Sequence, residues 1–211
     1  EIHPDDLELL HANREKMLVS ADHLLSLIND MLQMSKLENN EIVLAQDAMD
    51  LKALLMDVVT IVEQRAADAG ITLEYDKASD KILYPYVYGS PLHVRQIFLN
   101  IYSNCIKYNK PGGSIRGSVQ CVEQTDDTVT YRWTIADTGI GMSKTYLKQL
   151  FDPFTQEKND ARSVYQGTGL GMSIVKALLE QMHGSIAVTS EEGVGSTFVV
   201  TIPFDIAPEP Q

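Results

Sequence analysis

The chain has 211 residues and a formal net charge of −12, with 17 Lys and Arg against 29 Asp and Glu. Hydrophobic residues at 44% and charged residues at 22% define a soluble globular chain and exclude an intrinsically disordered one. The acid excess argues against electrostatic wrapping of nucleic acid or anionic lipid, and no apolar run approaches the roughly 20 residues of a membrane helix. No secretory leader is expected at the start. Two cysteines, Cys105 and Cys121, make neither a disulfide framework nor a zinc site, and both are expected to be reduced and buried. Any phosphate ligand of so acidic a chain needs local positive groups or a metal.

Pro4 and the glycine-free run from Leu7 to Leu37 predict one long helix. Leu7, Leu10, Met17, Ala21, Leu24, Leu27, Ile28, Met31 and Leu37 form its apolar stripe. A lone helix cannot bury such a stripe, and nothing downstream reads as an antiparallel mate. The expectation is therefore a dimer through residues 1–40, the chain beginning partway through a helical hairpin; the alternative is a helix folded back on the main domain. Glu41 to Met49 is expected to be a strand and Leu51 to Ala69 an amphipathic helix closed by Gly70. Ile71 to Asp76 and Val87 to Gly89 read as short strands. A helix begins at Ser90-Pro91, runs to about Tyr108 and stops at the turn Asn109-Lys110-Pro111-Gly112-Gly113. Ser114 to Glu123 and Thr128 to Ala136 read as a hairpin. A short helix from Ser143 to Leu150, a polar stretch from Thr155 to Gln166 and a helix from Gly171 to Met182 follow. Strands Ser185 to Ser190 and Ser196 to Pro203 close the domain, and residues 207–211 are a tail.

Three motifs carry chemistry. Asn100 and Asn104 stand i, i+4 on one helical face, with Gln96 one turn before and Lys107 one turn after, opposite an apolar face of Ile97, Phe98, Ile101 and Ile106. Carboxamides are neutral oxygen ligands suited to a magnesium ion that keeps its waters and bridges phosphates, and Lys107 adds a point charge. Asp137-Thr138-Gly139-Ile140-Gly141 follows a strand, so its aspartate can accept from the exocyclic amine of adenine while the glycines permit a close backbone. Gly167-Thr168-Gly169-Leu170-Gly171 opens a helix, and its N–H groups can hold phosphates by dipoles within an acidic protein. Phe151 and Phe154 are expected to anchor a loop whose polar middle is either a lid, from which Lys158 or Arg162 reaches the terminal phosphate, or a disordered surface loop in which neither does.

This succession, from the Asn-rich helix through the Asp-x-Gly-x-Gly turn and the Phe-x-x-Phe to the glycine loop, resembles the ATP-binding catalytic domain of sensor histidine kinases. That domain belongs to a wider group shared with Hsp90, gyrase and MutL. The resemblance covers residues 41 to 204. It equates Asn100 to Tyr108 with the N box, Asp137 to Gly141 with the first glycine box, Phe151 to Phe154 with the F box, and Gly167 to Gly171 with the second glycine box. Gly193-Val194-Gly195-Ser196-Thr197-Phe198 is similar to the last glycine box.

The resemblance implies an α+β fold of the Bergerat type, a two-layer α/β sandwich whose mixed sheet packs on helices, preceded by the long helix. It implies ATP and Mg2+ as cofactors: Asp137 binds the adenine amine, Asn104 the metal, Asn100 and Lys107 the phosphates, and Tyr108 the nucleotide. Gly139, Gly141, Phe154, Gly167, Thr168, Gly169, Leu170, Gly171 and Thr197 complete the cofactor set, and Asn100, Lys107 and Arg162 are the catalytic groups. The ATPases of the group carry a glutamate base where this chain has Asn100. An amide cannot deprotonate water, which favours phosphotransfer over hydrolysis.

Residues 20–38 resemble the second helix of the dimerisation and phosphoacceptor hairpin, but the His-Glu/Asp-x-x-Thr-Pro acceptor motif is absent. His3, His11 and His23 lack its context, and His93 and His183 are expected to be structural. The implied function is the catalytic portion of a sensor histidine kinase, unable to autophosphorylate without an acceptor histidine upstream of Glu1. Residues 1–40 would be the partial dimerisation region, 41–206 the catalytic domain and 207–211 the tail. Implied partners are a response-regulator receiver domain and a second copy of the chain. The implied location is cytoplasmic, including the cytoplasmic part of a membrane-bound sensor. The alternatives are a nucleotide-binding pseudokinase scaffold and an Hsp90-like ATPase fragment.

Overall fold

The computed structural model describes residues 4–39, 41–75, 82–157 and 167–209. Helix α1 spans Pro4–Glu38, and strand β1, Asp47–Asp50, leads directly into α2, Leu51–Asp68. Asp50 caps α2 by accepting from the Ala53 N–H at 2.8 Å. Leu51, Leu54, Val58, Val62 and Ala66 form its buried face, and Gly70, at φ +69°, turns the chain out of the helix. After β2, Thr72–Tyr75, and β3, Tyr86–Gly89, helix α3 runs Pro91–Lys107. Strands β4, Ser114–Gln124, and β5, Thr128–Asp137, form the expected hairpin. The short α4, Lys144–Leu147, and then α5, Gly171–Gln181, precede β6, Ser185–Glu191, and β7, Gly195–Ile206.

One seven-stranded mixed sheet results, in the order β1-β3-β7-β5-β4-β2 with β6 also on β7. Among the described residues only β2 and β4 pair in parallel; the other pairs are antiparallel. β7 pairs β5 along almost its whole length, from Asp205 to Ser196. Its other side serves β6 and, at Asp205 and Ile206, β3.

Strand alternation explains the two layers. Val129, Tyr131, Trp133 and Ile135 of β5 and Phe198, Val200, Ile202 and Phe204 of β7 are buried, while the residues between them are not. α3 lays Val94, Ile97, Phe98, Ile101, Tyr102 and Cys105 toward this face. Phe98 meets Trp133 edge-on at 5.1 Å between ring centroids, and Trp133 meets Phe204 likewise at 6.5 Å. The expected α+β sandwich is therefore present.

Several boundaries differ from expectation. Residues 41–46 are not a strand, because the four-residue β3 offers partners only to Asp47 through Asp50; Ile42 and Leu44 instead lean on the core. α4 stops at Leu147, short of Leu150. On α3 it is Tyr102 and Cys105 that enter the core, while Ile106 is half-buried.

The C-terminal turns of α1 fold back on the main domain, the second of its two alternatives. Leu37 is buried, Met34 packs against the core, and Gln33 and Gln96 exchange reciprocal amide hydrogen bonds of 2.8 and 2.6 Å. The last turns therefore dock on the main domain. Leu10, Met17, Leu24, Ile28 and Met31 remain exposed. Among the described residues no helix is long and apolar enough to cross a membrane.

Candidate functional site

Asn100, Asn104, Lys107, Tyr108, Asp137, Gly141, Gly167, Thr168, Gly169 and Gly171 line one cavity of about 280 Å³. It lies between the C-terminal half of α3, the end of β5 and the loop into α5. Because α3 buries one stripe against the sheet, the positions at i, i+4 and i+7 from Asn100 fall beside that stripe and face the loops. Gln96, one turn earlier, is taken up by Gln33 rather than by the cavity.

Asp137 ends β5 with its carboxylate held from behind. Its Oδ1 accepts the N–H of Gly139 at 2.8 Å and that of Ser196 at 3.3 Å. Burial pushes its pKa above the ordinary aspartate value; hydrogen bonds from the Gly139 N–H, the Cys105 thiol and the Ser196 N–H oppose this without overcoming it. Burial, reinforced by the nearby Asp137 charge, pushes the fully buried Cys105 thiol well up, so it stays protonated and is no nucleophile.

The glycines have distinct tasks. Gly139 does not line the cavity: a Cβ there would meet the Tyr108 carbonyl oxygen at 2.4 Å, at the point where the Ile140 N–H donates to that same oxygen at 3.0 Å. It lets the first glycine turn press onto the end of α3. Gly141, at φ +66°, would bring a Cβ to 1.9 Å from the Glu191 carbonyl oxygen, where the Asp137 loop crosses the β6–β7 turn. Gly169, at φ +71°, lies against the backbone of Phe154, which a Cβ would approach to 2.9 Å.

The end of the cavity at the Gly167–Gly171 loop is assembled from both sides of this loop. A Cβ on Gly167 would lie 2.6 Å from Lys107 Nζ, so the ammonium stands against the loop backbone. Lys107 also lies 5.0 Å from the Tyr108 ring centroid. Asn100 Nδ2 donates to the Gly171 carbonyl at 3.4 Å, tying α3 to the first residue of α5, and the Gln156 amide donates to the Gly167 carbonyl. The 11-residue α5 thus presents its N-terminal dipole beside two carboxamides and one ammonium.

Besides Gly139, three expected ligands stand elsewhere. Phe154, at φ 60°, has its side chain 60% exposed and supports Gly169 through its backbone; it does not anchor the loop as expected, whereas Phe151 packs against the core. Leu170 is fully buried under the start of α5. Thr197 is absent from the wall because β7 alternates: its neighbours Ser196 and Phe198 line the cavity instead. Lys158 and Arg162 lie outside the described residues. Beyond the expected set, Met142 and Tyr146, Ser196 and Phe198, and Ser26 and Asp30 of α1 also line the cavity. Strand alternation around Thr197 was the available signal for the β7 pair.

Residues 89–206 match the family described as histidine kinase-, DNA gyrase B- and HSP90-like ATPases. The chain belongs to that family. Its relatives include the sensor protein GacS of Pseudomonas syringae pv. syringae, 37% identical over 190 residues, 90% of this chain and 21% of that protein. The autoinducer 2 sensor kinase/phosphatase LuxQ of Vibrio cholerae is 31% identical over 191 residues, 90% of this chain and 22% of that one. The chain thus spans about a fifth of the length of these curated relatives. Among solved structures, full-length ShkA in complex with AMPPNP is 29% identical with a TM-score of 0.75, covering 100% of this chain and 41% of ShkA. The expected family and fold class are both met.

Proposed function

We propose that this chain is the ATP-binding catalytic portion of a sensor histidine kinase, with residues 41–206 as the catalytic domain, 1–40 as part of the dimerisation hairpin and 207–211 as a tail. The observation that carries the proposal is the convergence of Asn100, Asn104, Lys107, Asp137 and the Gly167–Gly171 loop on one cavity. The adenine amine donates to Asp137. The triphosphate runs toward Lys107, the glycine loop and the N-terminus of α5. In transfer, a ring nitrogen of an acceptor histidine outside these 211 residues attacks the γ-phosphorus. The bond to the bridging oxygen breaks, and ADP leaves with the electron pair. The phosphoryl then passes to an aspartate of a response-regulator receiver domain. Asn100, which hydrogen-bonds the loop, offers no base for water, so positioning and charge neutralisation remain as the means of catalysis.

The residues fit Mg2+. Among the described residues no group of three or more His, Cys, Asp or Glu forms a metal cage. The donors at the phosphate end are the amide oxygens of Asn100 and Asn104, a set suited to a hydrated ion held jointly with phosphate. Mg2+ would neutralise charge on the phosphates; Asn104 would hold it and Asn100 would assist. Asn104→Ala is expected to weaken ATP binding in the presence of Mg2+ by about tenfold while leaving metal-free binding within about twofold, in calorimetric titrations with and without chelator. Equal losses in both conditions would remove Asn104 from the metal role.

The exposed stripe Leu10, Met17, Leu24, Ile28 and Met31 supports a homodimer through α1. Sedimentation is expected to show a concentration-dependent dimer, abolished by Leu24→Glu together with Ile28→Glu. A monomer at every concentration would contradict it. The kinase reading itself is tested by supplying the upstream acceptor helix with ATP and assaying acid-labile phosphate on histidine; none formed would refute transfer, and rapid steady-state hydrolysis would favour an ATPase.

A further inference from the structure

The last turns of α1 present a second, polar face. Ser26, Asp30, Gln33 and Leu37 recur at intervals of four, three and four, the spacing of a single helical face. Leu37 is buried and Gln33 is locked to Gln96 of α3 by the reciprocal amide pair. That docking turns Ser26 and Asp30 into the wall of the cavity shared with Asn100, Asn104 and Lys107. The apolar stripe through Leu24, Ile28 and Met31 is left uncovered by it, so docking on the catalytic unit and pairing with a second helix use different faces.

Charge gives Asp30 its consequence. Among the described residues the wall carries three carboxylates, Asp30, Asp137 and Glu157, against one ammonium, Lys107. Asp137 has an assigned partner at the base, and the Glu157 carboxylate accepts from the Ser143 N–H at 3.1 Å. Asp30 faces the cavity from the opposite element. A metal-free polyphosphate entering here adds negative charge beside a carboxylate; the same polyphosphate carrying a hydrated divalent cation has less charge, and the cation's waters are donors that a carboxylate accepts.

We propose that Asp30 is a specificity-determining residue of the nucleotide site: from the docked α1 it selects the metal-bound nucleotide and rejects the free one. This rests on the nucleotide reading of the cavity given above and adds a role for the helix outside the matched family region.

The test is the ratio of affinities for a non-hydrolysable ATP analogue with Mg2+ and with chelator, measured by calorimetry on the 211-residue chain. Asp30→Asn is expected to lower that ratio about tenfold, chiefly by tightening metal-free binding. Asp30→Glu should keep the wild-type ratio. Ser26→Asp, which adds a carboxylate to the same wall, should raise it. A purely structural part for Asp30 would move both affinities together. If the wild-type chain binds the analogue more tightly with Mg2+ than with chelator and Asp30→Asn keeps the wild-type ratio, this inference is overturned and the nucleotide reading stands. If the wild-type chain binds no adenosine nucleotide in either condition, both fall.

Discussion

Asp137→Ala is expected to lower the affinity for ATP and ADP by about ten- to a hundredfold, the range that loss of a hydrogen bond to a charged group produces. Under the proposed assignment the carboxylate, a wall residue of the cavity, is the acceptor for the adenine amine, and its geometry is fixed by the N–H groups of Gly139 and Ser196. Removing it leaves the adenine amine without an acceptor and two backbone donors without a partner. Asp137→Asn keeps an oxygen for those donors but turns an N–H toward the amine, so it should restore stability more than affinity. The pH response has a definite sign. The folded-state pKa of Asp137 is raised by burial, so the folded chain binds this proton more tightly than the unfolded one. The group therefore favours folding below its unfolded pKa, and that contribution is lost as pH rises through the folded value. Nucleotide binding runs the other way, since it needs the ionised form: affinity should fall on acidification through the folded pKa, starting above the range of an ordinary aspartate. Unchanged ATP affinity in Asp137→Ala would overturn the assignment.

Gly141→Ala is expected to be the most destabilising small substitution in the site. The residue sits at φ +66°, where alanine loses about 1 kcal/mol. Its Cβ would also lie 1.9 Å from the Glu191 carbonyl oxygen, a backbone atom that cannot rotate away. The first glycine turn must then lift off the β6–β7 turn, where the Gly193 N–H donates to the Ile140 carbonyl at 2.7 Å and the Met142 N–H to Ser190 Oγ at 2.8 Å. Together the loss should exceed about 3 kcal/mol, or roughly 6–12 °C in Tm for a chain of this size. Gly193→Ala is the control: φ is +80° but nothing lies within 4 Å of its Cβ, so about 1 kcal/mol is expected. Thermal unfolding of both variants checks the contrast; equal shifts would show that the close approach to Glu191 carries no cost.

The cavity was legible in the sequence because its parts are local motifs: a helical face at i, i+4, i+7, a turn ending a strand, and a glycine loop opening a helix. Each is fixed by spacing within a few residues, and the sheet then brings the three together. What escaped depends on long-range register. Thr197 was assigned from its place in a glycine box, yet the side of β7 that meets the cavity is decided by the pairing of Ser196 with Asp137. Gly139 and Phe154 belong to binding motifs but act by letting or making backbones meet. Residues 41–46 have strand-like composition without a pairing partner. The docking of Gln33 on Gln96, and with it the presence of Asp30 in the wall, joins positions 63 residues apart that no periodicity connects.

Calorimetric titration of this chain with ATP and with GTP, each with and without Mg2+, tests the central claim most directly. Magnesium-dependent binding that prefers ATP and is lost in Asp137→Ala is the predicted result. An absence of binding heat, or equal affinity for the two nucleotides, would contradict an adenine site built on Asp137 and a metal–phosphate site built on Asn104.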